Sequence, residues 1–159
     1  MNAHANAEIR GVLIQVAGAR LLLPNATIAE VLSFAEPEPV EGAPQWLLGR
    51  IRWRGWQLPL VSFSRLSGLA DEVGGLGSKV VVLKALGDDP KLPHVALLTQ
   101  GFPRLVTVAR DALVEETADD EGDQALPTAV RMRVLLNNEP ALLPDVDALE
   151  GAIRDALAA

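Results

Sequence analysis

Catalysis needs nucleophiles, bases or metal ligands, and this sequence offers few. It has no cysteine and only two histidines, His4 and His94. Those counts exclude a disulfide scaffold, a thiolate zinc site, an iron–sulfur cluster, a cysteine nucleophile and a histidine-rich metal centre. There is no G-x-S-x-G elbow, so a serine nucleophile has no recognisable setting. His94 follows Pro93 in a strand pattern and reads as structural. The run Gly74-Gly75-Leu76-Gly77-Ser78-Lys79 fails the phosphate-loop pattern, because serine precedes lysine and no helical periodicity follows. It reads as a flexible connector. Asp145 and Asp147 lack the remaining ligands of a calcium loop, and capping accounts for Asp145 better. A glycosidase-like carboxylate pair stays open, since spacing in sequence says little about spacing in space. No residue set calls for a cofactor or a metal, and nothing positive argues for an enzyme.

The chemistry on offer is recognition. From Arg50 to Arg65 there are four arginines and no acid, with Trp53, Trp56 and Phe63 between them. Trp46, Trp53 and Trp56 are the only tryptophans of the chain. Arginine and tryptophan are the side chains most enriched at interface hot spots. Trp53 reads as a core residue, whereas the arginine face has no acid nearby in sequence. Single-strand nucleic-acid binders also join arginines to aromatics on small barrels. The net charge of -7 opposes that reading, because a polyanion repels an acidic protein. The charge is itself uneven. Asp111 to Asp123 holds seven acids and no base, and outside that run acids and bases balance at 14 each. The acidic run reads as a solvated loop.

The elements that carry these residues are mostly short strands. Ile9–Val16 and Arg20–Leu23 flank a turn at Ala17-Gly18-Ala19. Asn25 suits a helix N-cap for a short turn through Ala29. Glu36 to Pro44 is a proline-rich loop. Arg50 to Arg54 alternates, which places its three arginines on one face and Ile51 with Trp53 on the other. Gly55-Trp56 turns the chain and Gln57 to Val61 returns, with Pro59 marking an edge or a bulge. Ser64 to Gly68 is a short helical or irregular link. Lys79–Leu86 and Pro93–Thr99 form a further hairpin, and Arg104–Val108 is another strand. Val130 to Leu136 turns at Asn137-Asn138 into Ala141–Leu143. Val146, Leu149, Ile153 and Leu157 recur at helical spacing behind Asp145. Many strands, frequent turns and one helix suit two small barrels, divided near the glycine-rich break at Gly74 and Gly75. Residues 159 in number are enough for one domain. No stretch has the roughly 20 apolar residues of a membrane helix, and the start lacks a signal-peptide pattern. A cytoplasmic location is expected.

The run Leu48-Gly49-Arg50-Ile51-Arg52-Trp53-Arg54-Gly55-Trp56-Gln57-Leu58-Pro59-Leu60-Val61 resembles the G-x-x-N-L-R-G-x-x-x-P-V-x-D-L pattern of CheW-like domains. Those domains are the adaptors of bacterial chemosensory arrays. Gly49, Arg54, Gly55 and Pro59 match in spacing. Arg20-Leu21-Leu22-Leu23-Pro24 followed by Ile28-Ala29-Glu30-Val31-Leu32 resembles the family's strand-and-acid segment. Val80–Leu83, Val95–Leu98 and Leu142 to Leu149 follow the family order. The sequence departs from the pattern at Arg52-Trp53, where the family has Asn-Leu. It departs again at Val61-Ser62-Phe63-Ser64, where the family has Val-Asp-Leu-Arg, and at Thr99-Gln100, where an Asp is missing. As a divergent stand-alone member it resembles the ChpC and PilI adaptors of systems that control type IV pili and twitching motility.

The resemblance implies a mainly β fold. Two SH3-like five-stranded barrels would surround a shared core, with a C-terminal helix, over residues 9–157. Residues 1–8 would be a disordered tail. It implies a non-enzymatic adaptor, without cofactor, that couples a chemoreceptor's cytoplasmic tip to the regulatory domain of a CheA-like histidine kinase. No nucleic acid and no membrane insertion are implied. Ile28, Gly49 and Arg54 fall on groove positions of the family. Glu30 matches the family acid that pairs with that arginine, and Gly49 would be small so that a partner helix can approach. Arg52 and Trp56, with Arg50, have no family counterpart and are expected to form a partner-specific surface. The alternatives are a small β-barrel module that binds nucleic acid or another protein through the Arg50–Trp56 hairpin, and a barrel enzyme acting on a small ligand or carbohydrate.

Overall fold

A strand buried on both faces needs an unbroken apolar run rather than alternation. Several strands here have one, as in Lys79–Lys84 (KVVVLK) and His94–Thr99 (HVALLT). The computed structural model describes residues 8–87, 89–116 and 126–158. In chain order it contains β1 (Glu8–Val16), β2 (Ala19–Pro24), β3 (Ile28–Ser33), β4 (Leu47–Trp53), β5 (Trp56–Val61), α1 (Phe63–Ser67), β6 (Lys79–Lys84), β7 (His94–Thr99), β8 (Arg104–Ala109), β9 (Leu113–Glu115), β10 (Val130–Leu136), β11 (Glu139–Pro144) and α2 (Val146–Ala158). Two sheets result. One has six strands in the order β8-β1-β2-β11-β10-β9, and the other has five in the order β3-β6-β7-β5-β4.

The double-faced strands explain how two sheets share one core. On β1, Val12, Ile14 and Val16 point into the cluster between the sheets, while Leu13 points into the six-stranded sheet's own cluster. On β6, Val81 and Leu83 join the shared cluster, while Val80 and Val82 join the five-stranded sheet's cluster with Trp53, Leu58 and Leu98. Leu149 and Ile153 of α2 fill the shared cluster and are fully buried. Fully burying such side chains contributes about 1.5–3 kcal/mol each. Asp145 caps α2 by accepting from the Ala148 N–H at 3.1 Å. The mainly β architecture, the two β units and the C-terminal helix match expectation.

Several local readings change. The sheets do not divide at Gly74 and Gly75, because β5 and β6 on either side belong to one sheet. The chain changes sheets at Asn25–Thr27 and between β7 and β8, so both chain ends build the six-stranded sheet. The sixth strand is β9, which only pairing with β10 reveals. Asn25 caps nothing: Asn25–Thr27 is a 3-10 turn without a side-chain cap, and Ala29 lies in β3. Pro59 sits in an interior strand. It lies just ahead of the two-residue parallel ladder of β5 with β7, which begins at Leu60, so its missing N–H costs no ladder bond. The connector before β6 is anchored, since Glu72 is 1% exposed. Its carboxylate accepts from Ala17 N, Ser62 Oγ and Gln100 Nε2 at 2.9, 2.7 and 3.0 Å. Glu150 is also buried and accepts from Leu86 N and Gly87 N. The expected tail through residue 7 and acidic residues 117–123 lie outside the described residues, and β1 begins at Glu8.

Candidate interaction site

The β4–β5 hairpin turns on Arg54 and Gly55, with Trp53 and Trp56 paired across it. Both turn residues have positive φ, 50° and 83°. That is the pattern of a type I′ turn, whose twist matches the strands. Glycine adopts it freely; an arginine there is strained by roughly 1–2 kcal/mol. Two contacts offset the strain. The Arg54 guanidinium lies 4.8 Å from the Trp53 ring centroid, and its Nη2 pairs with Glu30 Oε1 at 3.0 Å. The same Oε1 accepts from Trp53 Nε1 at 2.9 Å. One carboxylate of β3 thus holds both members of an arginine–tryptophan pair at the tip of the hairpin. The arginine side chain is 69% exposed, so the ion pair adds only about 0–1 kcal/mol of stability.

His94 packs against the same tryptophan, its ring 4.7 Å from that of Trp53 at an interplanar angle of 59°. Burial first, and then the Lys84 and Arg54 cations, hold its imidazole below the ordinary value of 6.5. The ring is neutral near pH 7 and serves as packing, as its sequence context indicates. Among the described residues no group of His, Asp or Glu could hold a metal ion.

The six expected site residues separate into three places. Glu30 and Arg54 meet. Arg52 and Trp56 lie exposed on the same hairpin, Trp56 at 45%. Arg50 and Arg52 share the outward strand face, but Arg54 does not join them. The turn conformation folds it back over Trp53, so strand alternation stops one residue earlier than the sequence pattern suggests. Gly49 is buried with φ at 146°, and a Cβ there would overlap the Glu38 carbonyl. The chain's own loop, at Pro37 and Glu38, takes the room that this glycine leaves. Ile28 is half-buried at the start of β3 and packs on the shared core.

The departures from the family pattern have structural work. Ser62, where the pattern has an acid, caps α1 and donates to Glu72 Oε1 at 2.7 Å. The carboxylate arrives from the following loop instead. Ser64 Oγ donates to the Ala17 carbonyl at 2.6 Å and ties the two sheets.

Sequence reasoning missed an apolar cleft of about 420 Å³. Leu22, Leu23, Val108 and Leu143 of the six-stranded sheet form it, and Thr27 and Leu86 reach it from the other side. Its rim exposes Ile9 and Leu86.

A CheW-like domain model matches residues 10–152. Among solved structures, the crystal structure of the scaffolding protein TtCheW from Thermoanaerobacter tengcongensis is similar, with a TM-score of 0.70 at 12% identity over 91% of this chain and 88% of that one. No curated protein matches in sequence. The likeness to TtCheW speaks for the fold, and the match over residues 10–152 speaks for descent: the chain belongs to the CheW-like domain family.

Proposed function

We propose that this protein is a non-enzymatic adaptor of bacterial chemosensory signalling, coupling chemoreceptor tips to a histidine kinase. The observation that carries the reading is the CheW-like match across almost the whole described fold. The apolar cleft supports it, because a groove lined by leucine, valine and isoleucine suits the apolar face of a helix. The receptor's helical tip is assigned to that cleft, near Ile28. The kinase's regulatory domain is assigned to the Glu30–Arg54 hairpin end, with Arg52 and Trp56 as its neighbours. The departures at Arg52-Trp53 and Ser62-Phe63-Ser64 mark a divergent member, and the resemblance to the ChpC and PilI adaptors is the ground for a role in type IV pilus control. The site of action is the cytoplasm, beneath membrane receptor arrays. No helix among the described residues is long and apolar enough to cross a membrane.

The test is co-sedimentation with a receptor signalling-tip fragment and the kinase, using wild type, Leu86→Glu and Arg54→Glu. Leu86 is 60% exposed, so a charge there spares the core. Leu86→Glu is expected to lose the receptor fragment and keep the kinase, and Arg54→Glu to do the reverse, with both folds intact by circular dichroism. Wild type that binds neither partner would overturn the proposal.

A further inference from the structure

The five-stranded sheet curls until its first and last strands, β3 and β4, come together, yet they share no ladder. The seam between them is closed only at its two ends. At one end Glu38 and Arg50 exchange backbone hydrogen bonds of 2.8 and 2.9 Å. At the other, Glu30 reaches across to Trp53 Nε1 and Arg54 Nη2. Between these ties lies a groove of about 360 Å³. Leu32, Ile51 and Val80 face it, and all three belong to the apolar cluster inside this sheet. Arg50 and Arg52 line its β4 side.

The backbone along the groove is paired at its loop end and open beyond it. The two-residue hairpin makes Trp53 and Trp56 a hydrogen-bonded pair, so alternation leaves Arg52 pointing its N–H and C=O away from β5. Arg50 points the same way and spends both groups on Glu38, whereas Arg52 has no backbone partner on that side among the described residues. β3 pairs only with β6, which leaves its other edge open as well. The open β3 edge, facing the free backbone of Arg52 above an apolar floor, is a template for an added strand. Neither Arg50 nor Arg52 has an ion pair among the described residues.

We infer that the β3–β4 seam accepts an extended segment of a protein partner as an inserted strand, with apolar side chains on Leu32 and Ile51 and a carboxylate on Arg52. β3 and β4 run in opposite directions, so the inserted strand is parallel to one and antiparallel to the other. Glu36 and Glu38 stand at the loop end of the groove and repel carboxylates there. The acidic positions of the partner segment therefore lie toward the hairpin tip. This inference is independent of the cleft and of the receptor assignment, and it shares Arg52 with the surface assigned to the kinase.

The test titrates the full chain with two capped hexapeptides, alternating Val-Asp and alternating Val-Lys, and follows backbone amides by NMR. The Val-Asp peptide is expected to shift the Arg52 and β3 amides saturably and to slow their hydrogen exchange. Arg52→Glu, at an exposed position without an ion pair, is expected to keep the amide dispersion and to weaken the Val-Asp peptide about fivefold, the most one exposed ion pair supplies. It is expected to strengthen the Val-Lys peptide. Equal response to both peptides, shifts confined to the apolar cleft, or no shift at the seam up to millimolar peptide would each overturn the inference.

Discussion

Two buried glutamates hold the fold together, one between the two sheets and one between a turn and α2, and the ties differ in kind. Glu72 joins groups from both sheets: Ala17 of the β1–β2 turn, Ser62 at the end of β5, and Gln100 after β7. Gln100 N also donates to the Gln15 carbonyl at 2.8 Å, so that corner is a closed polar network. Glu150 instead holds one turn to α2, through the N–H groups of Leu86 and Gly87, and both of those residues are exposed. The carboxylates are equally buried, at 1% and 2%. Their worth differs because of what the donors would do without them. Water can reach the exposed turn, but it cannot reach Ser62, which is fully buried.

The sharpest way to break this comparison is to truncate each glutamate in turn. Glu72→Ala strands three donors and is expected to cost about 4 kcal/mol in urea unfolding. Glu150→Ala frees two donors that water can satisfy and is expected to cost about 1–2 kcal/mol. Equal losses would mean that solvent reaches both corners alike. Hydrogen exchange refines the point. Glu150→Ala should speed exchange only near Leu86 and Gly87, and Glu72→Ala throughout both sheets.

The smallest expected effect lies at neither tie. The imidazole of His94 is held below 6.5 in the fold, so the unfolded chain binds the proton more readily. Stability is then complete above pH 6.5 and falls as pH drops from there through the folded value. His94→Gln should flatten that part of the pH–stability curve. A curve of unchanged slope would assign the dependence to another group.

Local features were legible in the sequence and partnerships were not. The turns at Gly18, Asn137-Asn138 and the Asp145 cap announce themselves through residue types whose preferences act within four residues. The two-faced burial of β6 and β7 was visible as unbroken apolar runs. What failed was everything set at a distance. β9 exists because β10 is there to pair with it. Sheet membership on either side of Gly74 depends on β7, which arrives later and inserts beside β5. The role of Glu72 was not legible, since nothing near it in sequence foretells Ala17 or Gln100. Within the candidate site, the pairing of Glu30 with Arg54 came through the resemblance and stands in the structure. The place of Gly49 beneath its own loop did not, because a glycine's neighbours leave no trace in its spacing.

The joining of both chain ends in one sheet bears on how the molecule comes to be made. β2 lies beside β11 in a parallel pair, and Arg20 meets Glu139 from 119 residues away. α2, the last element, seals the shared core with Leu149 and Ile153. During synthesis the first hairpin must wait, its apolar faces uncovered, until β11 and α2 have emerged. The five-stranded sheet, drawn from one continuous stretch, can assemble meanwhile. Folding is thus expected to proceed from the middle outward, with the long-range closure as its slow step.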